Sequence, residues 1–120
     1  MTLNNIVEKM KAHPRYTDAG MILYHNGTVR NSSRKGEPVS ALEIHVDHDK
    51  LKTLLHAQKQ REGIVEILVH IVENKRLYPG EDVMYLAVAG NIRENVIAVL
   101  TDTLEAIKTD VTWKKEFFAQ

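Results

Sequence analysis

Two apolar runs, IVEILVHIV at residues 64–72 and VMYLAVA at 83–89, limit the fold more than any other feature of the chain. Each falls well below the roughly 18 consecutive apolar residues that a membrane-spanning helix takes. Both are rich in strand formers, so each is expected to be a buried strand. Pro79 and Gly80 stand between them as a turn, which predicts an antiparallel pair. A chain of 120 residues can bury one sizeable core around such a pair without a disulfide or metal, so residues 1–120 are expected to form a single domain.

The flanking segments read as helices and further strands. Leu3, Ile6, Val7 and Met10 recur at helical spacing until Pro14, predicting a first helix over about residues 3–12. The run from Gly20 to Val29 reads as a strand. So does VSALEIHVDH, where Leu42, Ile44 and Val46 share one face and Ala41, Glu43 and His45 the other. These two strands are expected to form a hairpin around the polar loop NSSRKGEP. Asp47 or Asp49 can cap a second helix with Leu51, Leu54, Leu55 and Gln58 on one face, ending at Gly63. Asn91 and Glu94 have capping-box spacing ahead of a long helix with Ile92, Val96, Val99, Leu100, Thr103, Leu104 and Ile107 in its stripe. An aromatic tail with Trp113, Phe117 and Phe118 follows. An α+β sandwich, a single mixed sheet with helices packed on it, is the simplest way to bury these faces.

Charge narrows the function classes. Sixteen lysines and arginines balance sixteen acids, so there is no global excess of cations for nucleic acid or a membrane surface. The absence of cysteine removes thiolate nucleophiles, thiolate zinc sites and redox pairs, so any sulfur the chain handles is brought to it. The N-terminus has no apolar run of signal-peptide length, and a cytoplasmic protein is expected. His45 and His48 stand three apart at a strand end and face opposite sides of a continuing strand, so they are expected at the surface or at a helix cap; no metal site is expected. The glycines form no phosphate loop, and the serines have no nucleophile-elbow context.

The cations are distributed unevenly. Between Ala19 and Gly36 lie three positive charges and no acid. Arg30 follows the first strand, Lys108 lies near the end of the long helix, and Lys114 and Lys115 follow Trp113. Arg93, in the first turn of the long helix, sits where the helix dipole disfavours a cation, and that placement points to an anionic ligand.

NGTVRN at 26–31, RKGEPVSALEI at 34–44, YPGEDVMYLAVAG at 78–90 and IKTDVTWKKE at 107–116, in this order and spacing, resemble the catalytic large subunit of molybdopterin synthase, the MoaE family. The resemblance runs from about Gly20 to Glu116. It implies an α/β hammerhead-type fold, mostly antiparallel, and a homodimer that forms a heterotetramer with a small ubiquitin-like sulfur carrier at each end. It also implies a sulfurtransferase of molybdenum cofactor biosynthesis with no cofactor of its own. The carrier's C-terminal Gly-Gly thiocarboxylate would deliver sulfur to cyclic pyranopterin monophosphate and form the dithiolene of molybdopterin. Carried over by position, Lys108 and Lys114 are the implied catalytic residues. Arg30 and Arg93 are implied to bind substrate, with His25 at a position where the family has an aromatic residue. Ile92 stands where the family usually has histidine, Leu104 where it has methionine, and the segment from Lys108 to Trp113 is one residue short. The alternative is a noncatalytic MoaE-like protein that binds pterin or carrier. A family-independent reading is a dimeric scaffold whose basic loop grips an acidic protein.

Overall fold

A computed structural model describes residues 1–119. Helix α1 (Leu3–Lys11) is followed by a short 3-10 turn, strands β1 (Met21–Thr28) and β2 (Val39–Val46), helix α2 (His48–Lys59), and strands β3 (Ile64–Ile71) and β4 (Asp82–Gly90). Helix α3 (Arg93–Ala106) then widens into a π turn (Ile107–Val111), and strand β5 (Thr112–Phe118) closes the order. Among the described residues no helix is long and apolar enough to cross a membrane.

Strand β4 organises the molecule because it is covered on both faces and along both edges. All of Met84 to Gly90 is buried, the pattern of a central strand. Tyr85, Ala87 and Ala89 pack against Ile6 and Met10 of α1, while Met84, Leu86 and Val88 join a second cluster with Val96, Val99, Leu100 and Ile107. Burying side chains the size of Ile6 and Met10 contributes roughly 1.5–3 kcal/mol each. Those two residues anchor the amphipathic first helix that the spacing predicted.

The strands occupy two antiparallel sheets, ordered β1-β4-β3 and β2-β5, rather than one mixed sheet. The predicted β3–β4 pair is present, but the predicted β1–β2 hairpin is not. The physical reason is that β4 has apolar side chains on both faces and two edges to pair, and β1 satisfies one edge from Met21↔Gly90 to Thr28↔Asp82. Strand β2 instead pairs with the aromatic tail, from Val46↔Thr112 to Val39↔Phe118. Leu42 and Ile44 reach the core of the larger sheet, so both sheets share one apolar cluster.

Helix ends follow sequence where a side chain is free to cap. The Asp47 carboxylate accepts from the Lys50 N–H at 3.1 Å and starts α2. At α3 the predicted capping box does not form. Asn91 is drawn toward Gly63, donating its backbone N–H to the Gly63 carbonyl at 2.8 Å, and its side-chain oxygen accepts from Ile92 and Asn95. Gly63 has φ of +77°, and a Cβ there would lie 2.1 Å from that Asn91 oxygen, so both its conformation and this close approach favour glycine. Ile92 becomes the N-cap without a side-chain bond and is 51% exposed, outside the stripe assigned to it. Thr103, fully buried in that stripe, accepts from the Gln58 amide of α2 at 2.9 Å.

Candidate active site

Four connections bring distant segments to one end of the larger sheet. Val29 continues β1 by exchanging hydrogen bonds with the Pro79-Gly80 turn: its N–H donates to Glu81 and its carbonyl accepts from Gly80, each at 2.9 Å. Gly80 has φ of +91°, as the second central position of such a turn requires. Leu42 and Leu77 exchange N–H···O bonds at 2.8 Å and fasten β2 to the segment before that turn. The Asp47 N–H donates to Val111 at 2.9 Å, tying the π turn to the end of β2. The π turn itself redirects the chain from α3 into β5, with Lys108 on the turn and Lys114 on the strand. Such turns recur at functional sites because they break helical register locally.

The result is a pair of adjoining cavities. One, about 1010 Å³, has Arg30, Arg34, Lys108 and Lys114 in its wall, with Glu116 as the sole carboxylate among the described residues. Glu116 lies 3.8 Å from the Lys114 ammonium. The other, about 490 Å³, is more apolar, with Ile44, Ile71, Met84 and Ile107 beside His25 and Trp113. Arg34, Lys108 and Lys114 belong to both walls. Four cations against one acid give this region a local positive charge within a chain of zero net charge.

Arg30 is exposed but oriented: its Nε donates to the Ser32 carbonyl at 2.9 Å, leaving both terminal amines of the guanidinium without a protein acceptor among the described residues. A guanidinium held this way can meet two oxygens of a phosphate or carboxylate together. His25 lies within the apolar cavity, where burial and then the nearby Lys108 cation hold its imidazole below the ordinary histidine pKa. It is therefore neutral at pH 7, able to accept or donate a hydrogen bond without adding charge. Trp113 of β5 stacks on His45 of β2, ring centroids 5.5 Å apart.

The same shift sets a pH dependence. Burial and Lys108 lower His25 only in the folded chain, so below about pH 6.5 the unfolded chain takes up more protons than the folded one. Stability is complete above that value and falls as pH drops through the folded pKa. His70, also lowered by burial, acts in the same direction. His25→Phe is expected to lose less Tm than the parent between about pH 7.5 and about pH 5, read by thermal denaturation. An equal loss in both proteins would contradict the neutral-imidazole assignment.

Arg30, Lys108, Lys114 and His25 thus gather around the paired cavities, and the scaffold reading, which needs Arg30 and Lys108 apart, loses its basis. Arg93 is not among them. It lies at the opposite end of α3, 78% exposed, with its Nε donating to Glu94 at 3.1 Å. The helical rise over the fifteen residues to Lys108 separates them by about 20 Å. His45 bonds Asn74 at 2.8 Å and His48 bonds Glu73 at 2.7 Å, which explains both as surface contacts. Arg34 and Glu116 stand at the ends of the segments RKGEPVSALEI and IKTDVTWKKE, but the resemblance implied no role for either. The acid-free interval before Gly36 was the available signal for Arg34, whereas Glu116 is brought to the cavity by the β2–β5 register, opposite Leu42.

The family model described as MoaE protein matches residues 2–110. A Haloferax volcanii relative described as "Probable molybdopterin synthase" is 28% identical over 126 residues, covering 97% of this chain but 46% of the relative. The chain therefore spans about half the length of that curated relative. Among solved structures, molybdopterin cofactor biosynthesis protein E from Burkholderia multivorans superposes with a TM-score of 0.77 at 26% identity, covering 99% of this chain and 82% of that one. Molybdopterin synthase from Staphylococcus aureus has a TM-score of 0.79 at 19% identity, covering 100% and 87%. A complex of subunits 1 and 2 of molybdopterin-converting factor from Helicobacter pylori gives 0.73 at 17% identity, covering 100% and 85%. These last two show a shared fold.

Proposed function

The chain belongs to the MoaE family, and from that premise we propose that it is the large subunit of molybdopterin synthase, moving sulfur from a thiocarboxylated carrier protein to cyclic pyranopterin monophosphate. The observation that carries this reading is the convergence on one cavity of Arg30, from the β1–β2 connection, with Lys108 and Lys114, from the π turn and β5 near the other end of the sequence. Both reactants are anions, and the cavity opposes four cations to one carboxylate.

The chemistry needs charge stabilisation more than a protein nucleophile. The carrier's thiocarboxylate sulfur would displace an oxygen substituent from a pterin side-chain carbon, the C–O bond breaking and the oxygen leaving with its electron pair as the C–S bond forms, so that the carrier is left joined through a thioester. Water adds to the acyl carbon, the C–S bond breaks, and the products are a pterin thiolate and a carrier carboxylate. The tetrahedral oxyanion of that step would be met by the ammonium groups of Lys108 and Lys114, a type of stabilisation worth about 10²–10³ in rate for a single donor. Arg30 would hold the substrate phosphate. Neutral His25 would supply an imidazole from the adjoining apolar cavity, while Ile92 stands where the resemblance implies a histidine.

Arg93 fits this scheme as a residue delivered by a second copy of the chain. It cannot reach the cavity of its own protomer, and Ile92 and Ile97 beside it are 51% and 47% exposed, an apolar setting suited to a covered face. The homodimer would then complete each site with an arginine from its partner.

The direct test mixes the pure chain with thiocarboxylated carrier and cyclic pyranopterin monophosphate and measures the oxidisable dithiolene product. Product formation supports the synthase reading. Binding of pterin or carrier by calorimetry without turnover would instead establish the noncatalytic alternative.

A further inference from the structure

The β1–β2 connection carries a residue that the family resemblance does not assign. The loop is built rather than merely polar. Ser32 pairs with Pro38, Ser33 accepts the Gly36 N–H at 2.9 Å, and the Ser33 N–H donates to Glu37 at 2.8 Å. The Ser33 hydroxyl accepts from the Glu37 N–H at 3.1 Å, and the Val39 N–H donates to Asn31 at 3.0 Å. Gly36 closes the turn with φ of +84°. The base is fixed as well, since the Arg30 guanidinium bonds the Ser32 carbonyl. Two residues at the tip are basic, Arg34 and Lys35, and they differ in one respect: Arg34 belongs to the wall of both cavities and Lys35 to neither.

We propose that Arg34 is a substrate-specificity residue, the second guanidinium of a clamp that grips the phosphate of the pterin substrate opposite Arg30. This assignment rests on the synthase reading and names which reactant the loop serves. Among the described residues Arg34 has no carboxylate partner, so its charge is not spent on a protein ion pair. The larger cavity around it is lined by Asn31, Ser32 and Ser33 as well as Arg30, polar groups that can bond the remaining oxygens of a phosphate. Two guanidiniums on one phosphate also discriminate: a dephosphorylated pterin would leave both unsatisfied.

The test compares Arg34→Gln, Arg34→Lys and Lys35→Gln in the reconstituted reaction, with the parent protein establishing turnover. Arg34→Gln should raise KM for the pterin about tenfold or more, the size expected for losing a charge-assisted contact, with kcat nearly unchanged. KM for the carrier should not move. Arg34→Lys should recover part of the loss, and Lys35→Gln should match the parent. Calorimetry with a dephosphorylated pterin should find no difference between parent and Arg34→Gln. An unchanged pterin KM in Arg34→Gln would overturn the proposal, as would an equal rise in Lys35→Gln, which would show bulk charge rather than a clamp. Failure of the parent itself to turn over or bind the pterin would instead remove the synthase reading beneath it.

Discussion

Lys108→Ala is expected to lower product formation by about 10²–10³ or more while leaving Tm within a degree or two of the parent. The two halves of this expectation have separate causes. Lys108 is exposed on the π turn and has no salt-bridge partner among the described residues, so truncation opens no cavity and orphans no buried charge. Its ammonium nevertheless faces both cavities, where the anionic reactants would meet. A second readout follows from the electrostatics. The Lys108 cation is one of the influences lowering His25, so its removal should raise the His25 pKa, measurable by NMR titration of the imidazole. Full activity in Lys108→Ala would remove this lysine from the chemistry; an unmoved His25 would show that the two groups are not neighbours in solution.

Arg93 supports the second large effect, which depends on assembly. Arg93→Ala and Lys108→Ala should each be nearly inactive as pure proteins. Co-expressed so that dimers form at random, they should together regain about a quarter of the parent activity. Half of the dimers would be mixed, and in each of those one site would combine an intact Lys108 with an intact Arg93 from the other protomer. No recovery on mixing would show that Arg93 does not act across a dimer. A fully active Arg93→Ala would show that it does not act at all.

The elements were largely legible in the sequence because they are set by short-range patterns. Ile6 and Met10 at helical spacing gave α1, the Asp47 cap gave the start of α2, and the Pro79-Gly80 turn gave the β3–β4 pair. What failed was the choice between partners of similar local character. A strand ending in a polar loop with Gly36 and Pro38 invites a hairpin, yet the ladder within that loop stops at Ser32↔Pro38 and the two strands diverge. The tail with Trp113, Phe117 and Phe118 showed no strand signal beyond its aromatics, and became β5 because β2 needed an edge partner. Asn91 offered a capping box in isolation and lost it to a tertiary contact with Gly63.

The candidate site divides along the same line. Residue types and their order along the chain identified the cations at 30, 93, 108 and 114 and, through the motifs around them, the family. Their spatial grouping was not written there, because two of them lie on one helix and its extension yet at opposite ends of it. Arg34 shows the converse: a loop residue to which the resemblance gave no role, placed at the cavities by a ladder of backbone bonds. Sequence by itself determined the local elements, the cysteine-free chemistry and the inventory of charges, since each depends on near neighbours or on composition. Only the tertiary structure decided which strands pair and which cations share a cavity, because those outcomes depend on competition between surfaces far apart in the chain.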